Sequence, residues 1–120
     1  MTRNVKEHLT TSLKSNREFQ IVYKRGKSLG NKHIVMFMLK NGNNINCLGI
    51  SASKKIGKAV VRNKIRRRLK EAYKMLEPEV SEGYDIVILP RAGIVEASFL
   101  EVKSSIKHLL RKHGIWRQNG

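Results

Sequence analysis

The sequence predicts an α+β fold (an α/β sandwich) with a mixed central sheet of about four strands and three helices. Three observations support this. The apolar residues alternate between helical and strand periods in the order helix, strands, helix, strand, helix. A strand, a crossover helix and another strand imply a parallel pair inside a mixed sheet. The run Tyr84 to Leu89 is nearly continuous in apolar character, as in a strand covered on both faces. At 120 residues with 40% hydrophobic composition, the chain reads as a single domain, 1–120, with one modest core.

Residues 1–12 are polar and are expected to be loose. Ser15 with Glu18 three positions on forms a capping box opening a helix over about 16–25, which Gly26 can close as a C′ residue. Phe19, Val22 and Tyr23 share one face of it. Residues 33–39 read as a strand, Asn41-Gly42 as a hairpin signal, and 45–52 as a second strand with Gly49 at a bulge or close approach. A helix follows over about 58–76, ended before Pro78, then the strand Tyr84 to Leu89. Ser98 with Glu101 is a second capping box. The helix it starts turns Phe99, Val102, Ile106, Leu109 and Leu110 to the core and is ended by Gly114. Trp116, beyond it, is expected to contribute little.

Charge sets this chain apart. The net charge is +16, and residues 1–70 hold eighteen Lys or Arg against two acids, whereas 71–120 hold seven of each. Such a balance points to a polyanionic partner. The densest stretch, KKIGKAVVRNKIRRRLK (54–70), has nine cations and no acid. On a helical wheel Val61, Ile65, Leu69, Ala72 and Leu76 form the anchoring stripe. Asn63, Arg67, Lys70 and Lys74 lie opposite, flanked by Arg62 and Arg66, on a surface roughly 25 Å long. Arg62, Arg66 and Lys70 stack like charges at i,i+4, each step costing a few tenths of a kcal/mol. Lys54, Lys55 and Lys58 sit where the macrodipole prefers anions, and Ile56-Gly57 is expected to leave backbone N–H groups exposed for phosphate. These violations all favour a bound polyanion, which makes nucleic-acid binding the expected function. A membrane is disfavoured because the helix's other face is needed for the core.

Other chemistry is poorly served. Cys47 is the sole cysteine, so no intramolecular disulfide forms; with no secretory signal and no apolar run long enough to span a bilayer, a cytoplasmic location is expected. The single Asp, Asp85, lies in an apolar run, and no acid occurs between Glu18 and Glu71, so a two-metal nuclease on the basic surface is not expected. His8, His33, His108 and His113 show no zinc-ligand spacing, and His108 and His113, five apart, read as a solvated helix end.

With RNKIRR following SASKKIGKAVV, the chain resembles the bacterial ribonuclease P protein component, whose basic motif R-N-R-x-x-R follows a strand ending in S-x-S-K-K. Ser51, Ser53, Lys54, Lys55, Gly57, Ala59, Arg62, Asn63 and Arg67 match. REFQIVYKRGKS and YDIVILPRAG are also similar to family segments, so the likeness covers nearly the whole chain. Lys64 stands at the motif's second arginine, keeping the charge but losing the bidentate fork. The resemblance implies a left-handed βαβ crossover and removal of the 5′ leader from precursor tRNA, with catalysis carried by an RNA subunit using Mg²⁺. It implies that Lys54, Lys55, Lys58, Arg62, Asn63, Lys64, Arg66, Arg67 and Lys70 contact ribonuclease P RNA, and that Phe19, Tyr23 and Phe37 hold the precursor tRNA leader. No catalytic or metal-ligating residue is assigned, and neither a membrane nor a small-molecule substrate is expected. The alternatives are a ribosomal-protein-like module without turnover and a DNA-binding protein.

Overall fold

The computed structural model describes residues 10–117. The elements run β1 (Thr11–Ser12), α1 (Asn16–Arg25), β2 (Lys27–Gly30), β3 (Ile34–Lys40), β4 (Cys47–Ile50), α2 (Ala59–Leu76), β5 (Tyr84–Pro90) and α3 (Phe99–Lys112). They form one five-stranded sheet in the order β1-β4-β5-β3-β2. β1 and β4, and β4 and β5, are parallel; β3 is antiparallel to both β5 and β2. The parallel neighbours β4 and β5 are joined through α2, the expected crossover.

The helices begin where their caps dictate. Ser15 and Ser98 each accept the N–H three residues on, and Glu18 and Glu101 return the bond, closing both capping boxes. The backbone N–H groups of Lys14 and Ser15 hold the Glu18 carboxyl below its usual range, as that of Ser98 does for Glu101. Gly114 adopts φ +80°, and the Ile115 N–H reaches the Leu110 carbonyl, so α3 ends in a Schellman-type turn.

Four expectations are corrected. Thr11 and Ser12, inside the stretch 1–12 expected to be loose, pair as β1, while 1–9 lie outside the described residues. Asn41-Gly42 makes a turn with Gly42 at φ +76° but no hairpin, because β5 lies between β3 and β4. Gly26 ends α1 in an extended conformation, φ −82°, so its backbone needs no glycine; a Cβ there would lie 2.6 Å from the Val22 carbonyl oxygen, so close approach is what excludes a side chain. Finally, Trp116 pairs with Val80 in an isolated bridge and packs on the core.

The sheet separates two apolar layers. The larger joins Ile34, Met36, Ile86 and Ile88 to Ile65, Leu69, Ala72, Tyr73 and Leu76 of α2 and to Val102, Ile106, Leu109 and Leu110 of α3. Burying each large aliphatic side chain stabilises the fold by about 1.5–3 kcal/mol. The smaller layer, under α1, centres on Leu13, Val22 and Val87, with Phe19, Tyr23, Phe37, Leu39 and Leu89 packed at its margin.

Two buried polar side chains pin the margins of the larger layer. Asn46 accepts from the Tyr84 N–H (2.8 Å) and donates to the Ser81 carbonyl (3.0 Å), with the Tyr73 hydroxyl at 3.5 Å. His113, expected at a solvated helix end, is 8% exposed; its Nε2 donates to the Met36 carbonyl at 3.0 Å. A helix turned inward by the Leu109–Leu110 stripe carries its C-cap residue down with it.

Candidate nucleic-acid interface

α2 behaves as its wheel predicts. Ile65, Leu69, Ala72 and Leu76 are buried, joined by Tyr73, and Val61 is half-buried. Tyr73 is core, its hydroxyl 3.2 Å from Thr10 Oγ1, and burial raises its pKa. On the outer side Asn63, Lys64, Arg67, Lys70 and Lys74 are exposed, as are Lys54, Lys55 and Lys58 before the helix. Arg62 and Arg66 are half-buried at the flanks.

The contacts these cations make leave their charge uncompensated. Arg62 Nε donates to the Gly57 carbonyl (3.1 Å), Arg66 Nη1 to Asn63 Oδ1 (3.0 Å) and Arg68 Nη1 to the Ala97 carbonyl (3.2 Å). Each acceptor is a neutral oxygen that orients a guanidinium without neutralising it. One expectation fails here. The Ile56 and Gly57 N–H groups are spent on the carbonyls of Ser53 and Lys54, inside a 3₁₀ turn over Lys54–Ile56. Donors for an anion must therefore come from the first turn of α2, whose N-cap, Lys58, makes no side-chain cap.

The aromatic residues line up on the other face of the sheet. Phe19 and Tyr23, one helical turn apart on α1, have ring centroids 6.4 Å apart; Tyr23 meets Phe37 of β3 edge-on at 5.1 Å. All three rings are half-buried: one side rests on the small core and the other is open. Gly49 sets the height of Phe19, because a Cβ on it would lie 2.5 Å from Phe19 Cζ. The sequence marked Gly49 as a place of close approach, and the ring is what approaches.

The two surfaces meet. Where β4 ends at Ile50 and Ser51, the sheet no longer separates α1 from α2, and a groove of about 220 Å³ opens. Phe19 and Tyr23 form one wall and Arg66 the other, with the Asn16 and Gln20 amides at the rim. A chain of stacked bases on the rings would carry its phosphates toward the arginine.

Nucleophilic or metal chemistry finds no comparable arrangement. Burial, with Asp85 nearby, pushes the Cys47 thiol up, away from the reactive thiolate. Among the described residues no three His, Cys, Asp or Glu side chains are grouped so as to hold a metal ion.

A family profile described as Ribonuclease P matches residues 8–114. The chain belongs to the family of bacterial ribonuclease P protein components. It is 44% identical over 105 residues to the ribonuclease P protein component of Clostridium botulinum strain 657, covering 87% of this chain and 95% of that one. The counterpart from Caldanaerobacter subterraneus is 44% identical over 108 residues, with 90% and 93% covered. Among solved structures, the Staphylococcus aureus RNase P protein superposes with a TM-score of 0.80 at 33% identity, covering 88% of this chain and 96% of that one. The Thermotoga maritima protein gives 0.79 at 33%, with 84% and 96% covered. The RNKIRR segment lies on α2, with Asn63, Lys64 and Arg67 exposed, Arg62 and Arg66 half-buried and Ile65 in the core.

Proposed function

We propose that this chain docks on ribonuclease P RNA through the α2 ridge and holds the 5′ leader of precursor tRNA on Phe19, Tyr23 and Phe37. The RNA contacts are assigned to Lys54, Lys55, Lys58, Arg62, Asn63, Lys64, Arg66, Arg67 and Lys70. The observation that carries this reading is the shared groove, in which Arg66 faces two of the three rings. It supports one continuous path for a single strand passing from the protein to the RNA.

Cleavage of the leader is assigned to the RNA subunit. Mg²⁺, when bound, would supply charge stabilisation at the scissile phosphate. The protein's part is to position the leader and to offset phosphate repulsion between two RNAs. By resemblance, the β4–α2–β5 crossover is left-handed. No helix among the described residues is long and apolar enough to cross a membrane, and a cytoplasmic site of action is proposed with the function.

The test is reconstitution. Mixed with ribonuclease P RNA and a precursor tRNA at low Mg²⁺, the protein should promote leader release that neither component gives alone. Binding without release would select a structural RNA-binding module, and preference for duplex DNA would select the third reading. The ridge also sets a salt dependence. Its six fully exposed cations among the proposed RNA contacts (Lys54, Lys55, Lys58, Lys64, Arg67 and Lys70) neutralise about six phosphates, for a log–log slope of about −5. Affinity that does not respond to salt would refute the ridge as the docking surface.

A further inference from the structure

α3 carries the same departure from helix rules that marks α2. Lys103, Lys107 and Arg111 succeed one another at i,i+4, His108 and Lys112 lie among them, and no acid follows Glu101 in the helix. Like charges at that spacing destabilise a helix. The macrodipole accounts for Arg111 and Lys112 in the last turn but not for Lys103 and Lys107 further up. The equal totals of acid and base over residues 71–120 conceal this. Glu71 lies on α2 and Glu77, Glu79 and Glu82 between α2 and β5, whereas four of the seven bases fall on α3.

Beside this row the surface is built rather than merely charged. Asn31, at the β2–β3 turn, uses its whole side chain: Oδ1 accepts from the His33 and Ile34 N–H groups, and Nδ2 donates to the Ser105 carbonyl (3.0 Å) and to His108 Nδ1 (3.2 Å). With Nδ1 accepting, the neutral His108 ring keeps its proton on Nε2, a donor free for a ligand. His33 Nδ1 lies 2.6 Å from the Ser105 hydroxyl. Two adjoining hollows result. One of about 230 Å³ lies between the turn and α3, with Lys32 on its rim. The other, about 360 Å³, is lined by Ser104, Lys107, His108 and Arg111. The carboxylate of Glu101 is held at the N-terminal end by the Ser98 N–H, within electrostatic reach of His33 and Lys32.

α2 and α3 pack side by side on one face of the sheet, α3 over β2 and β3 and the ridge helix beside β1 and β4, so the hollows at the β2–β3 turn lie away from the β1–β4 edge. The α3 face also differs in kind: no Phe, Tyr or Trp lines either hollow, and the ammonium of Lys107 sits 5.2 Å over Trp116. A row of cations and imidazole donors without a Phe or Tyr platform matches the phosphate backbone of helical RNA rather than an unpaired strand. We propose that the outer face of α3, with Lys32, His108, Lys107 and Arg111, is a second seat for ribonuclease P RNA, taking backbone phosphates of a helical segment. This rests on the family reading, and it makes the protein a bridge between two parts of one RNA.

The experiment compares wild type, Lys107→Gln/Arg111→Gln, Ser104→Glu and Arg67→Gln. For each, affinity is measured for ribonuclease P RNA and for a leader oligonucleotide, between about 50 and 200 mM KCl. Ser104 is exposed and borders both hollows, and a glutamate there gains helix pairing with Lys107 and His108. Its fold should therefore survive while it repels phosphate. The double variant should lose about two units of salt slope, and Ser104→Glu should weaken RNA binding several-fold, both without change toward the leader. Wild-type slope and affinity in the α3 variants, with a loss in Arg67→Gln, would overturn the second seat alone. Equal losses toward the leader would also overturn it. Salt-independent binding by the wild type would overturn the ridge as the docking surface, and the second seat with it.

Discussion

Replacing Tyr23 with leucine separates a leader platform from ordinary core. Leucine retains apolar contact with the Val22 and Val87 layer and removes the ring that joins Phe19, at 6.4 Å, to Phe37, at 5.1 Å. Each aromatic pair contributes about 0.5–1.5 kcal/mol beyond its buried area, so losing both should lower folding stability by about 1–3 kcal/mol. That part is read from the urea midpoint. Stacking of one base on the ring adds about 1–3 kcal/mol to precursor binding, a factor of roughly 5 to 150 in Kd. The assay is the Kd of the reconstituted protein–RNA complex for precursor tRNA and for mature tRNA, below the temperature at which the variant begins to unfold. The platform predicts a loss confined to the precursor. Equal weakening toward both tRNAs would return Tyr23 to the core and remove the leader path from the shared groove.

Gly49→Ala should act on the same path indirectly: its methyl, 2.5 Å from Phe19 Cζ and 3.0 Å from Leu13 Cδ1, must displace the ring, weakening precursor binding while α2-mediated binding of ribonuclease P RNA stays unchanged. Asn46→Ala strands the Tyr84 N–H and the Ser81 carbonyl, so thermal unfolding should register a loss of about 2–6 kcal/mol, at about 1–3 kcal/mol per stranded group. Burial, with the Lys27 charge adding to it against the Met36 hydrogen bond, lowers the His113 pKa from 6.5. The neutral ring is what the fold prefers, so its contribution is complete above about pH 6.5 and declines as pH falls below that value. In His113→Gln, where an amide can still donate to Met36, the acid-side decline measured by urea titration should be shallower; an unchanged pH profile would refute this.

Much of the fold was legible because its signals are local. Both capping boxes, the α2 stripe and the buried run of β5 each lie within one element and need no knowledge of neighbours. Asn41-Gly42 shows the limit. The dipeptide specified a turn correctly, but which strand pairs with β3 is settled by residues more than forty positions later. β1 and β2 escaped because Thr11–Ser12 and Lys27–Gly30 are short and mostly exposed, with too few apolar positions to show a period. The cationic ridge was readable because charge needs no geometry. Its meeting with Phe19 and Tyr23 was not, since it depends on where β4 stops. The α3 face was hidden by a sum, because seven acids and seven bases cancel on paper while lying apart in space. Asn31, Asn46 and the buried His113 carry no sequence mark, since a polar residue in a loop or helix end looks the same whether it faces water or the interior.

The position of β5 bears on how the chain is made. This strand is third of five across the sheet but last of five along the chain, so β3 and β4 gain the neighbour they share only once residues 84–90 exist. During synthesis the whole run of positive charge up to Lys70 emerges before β5 can join the β1–β4 pair to the β2–β3 hairpin. Folding must then wait for distant pairing, which is slow. A nascent chain halted before Tyr84 would present the basic segment without the central strand of the sheet that orients it.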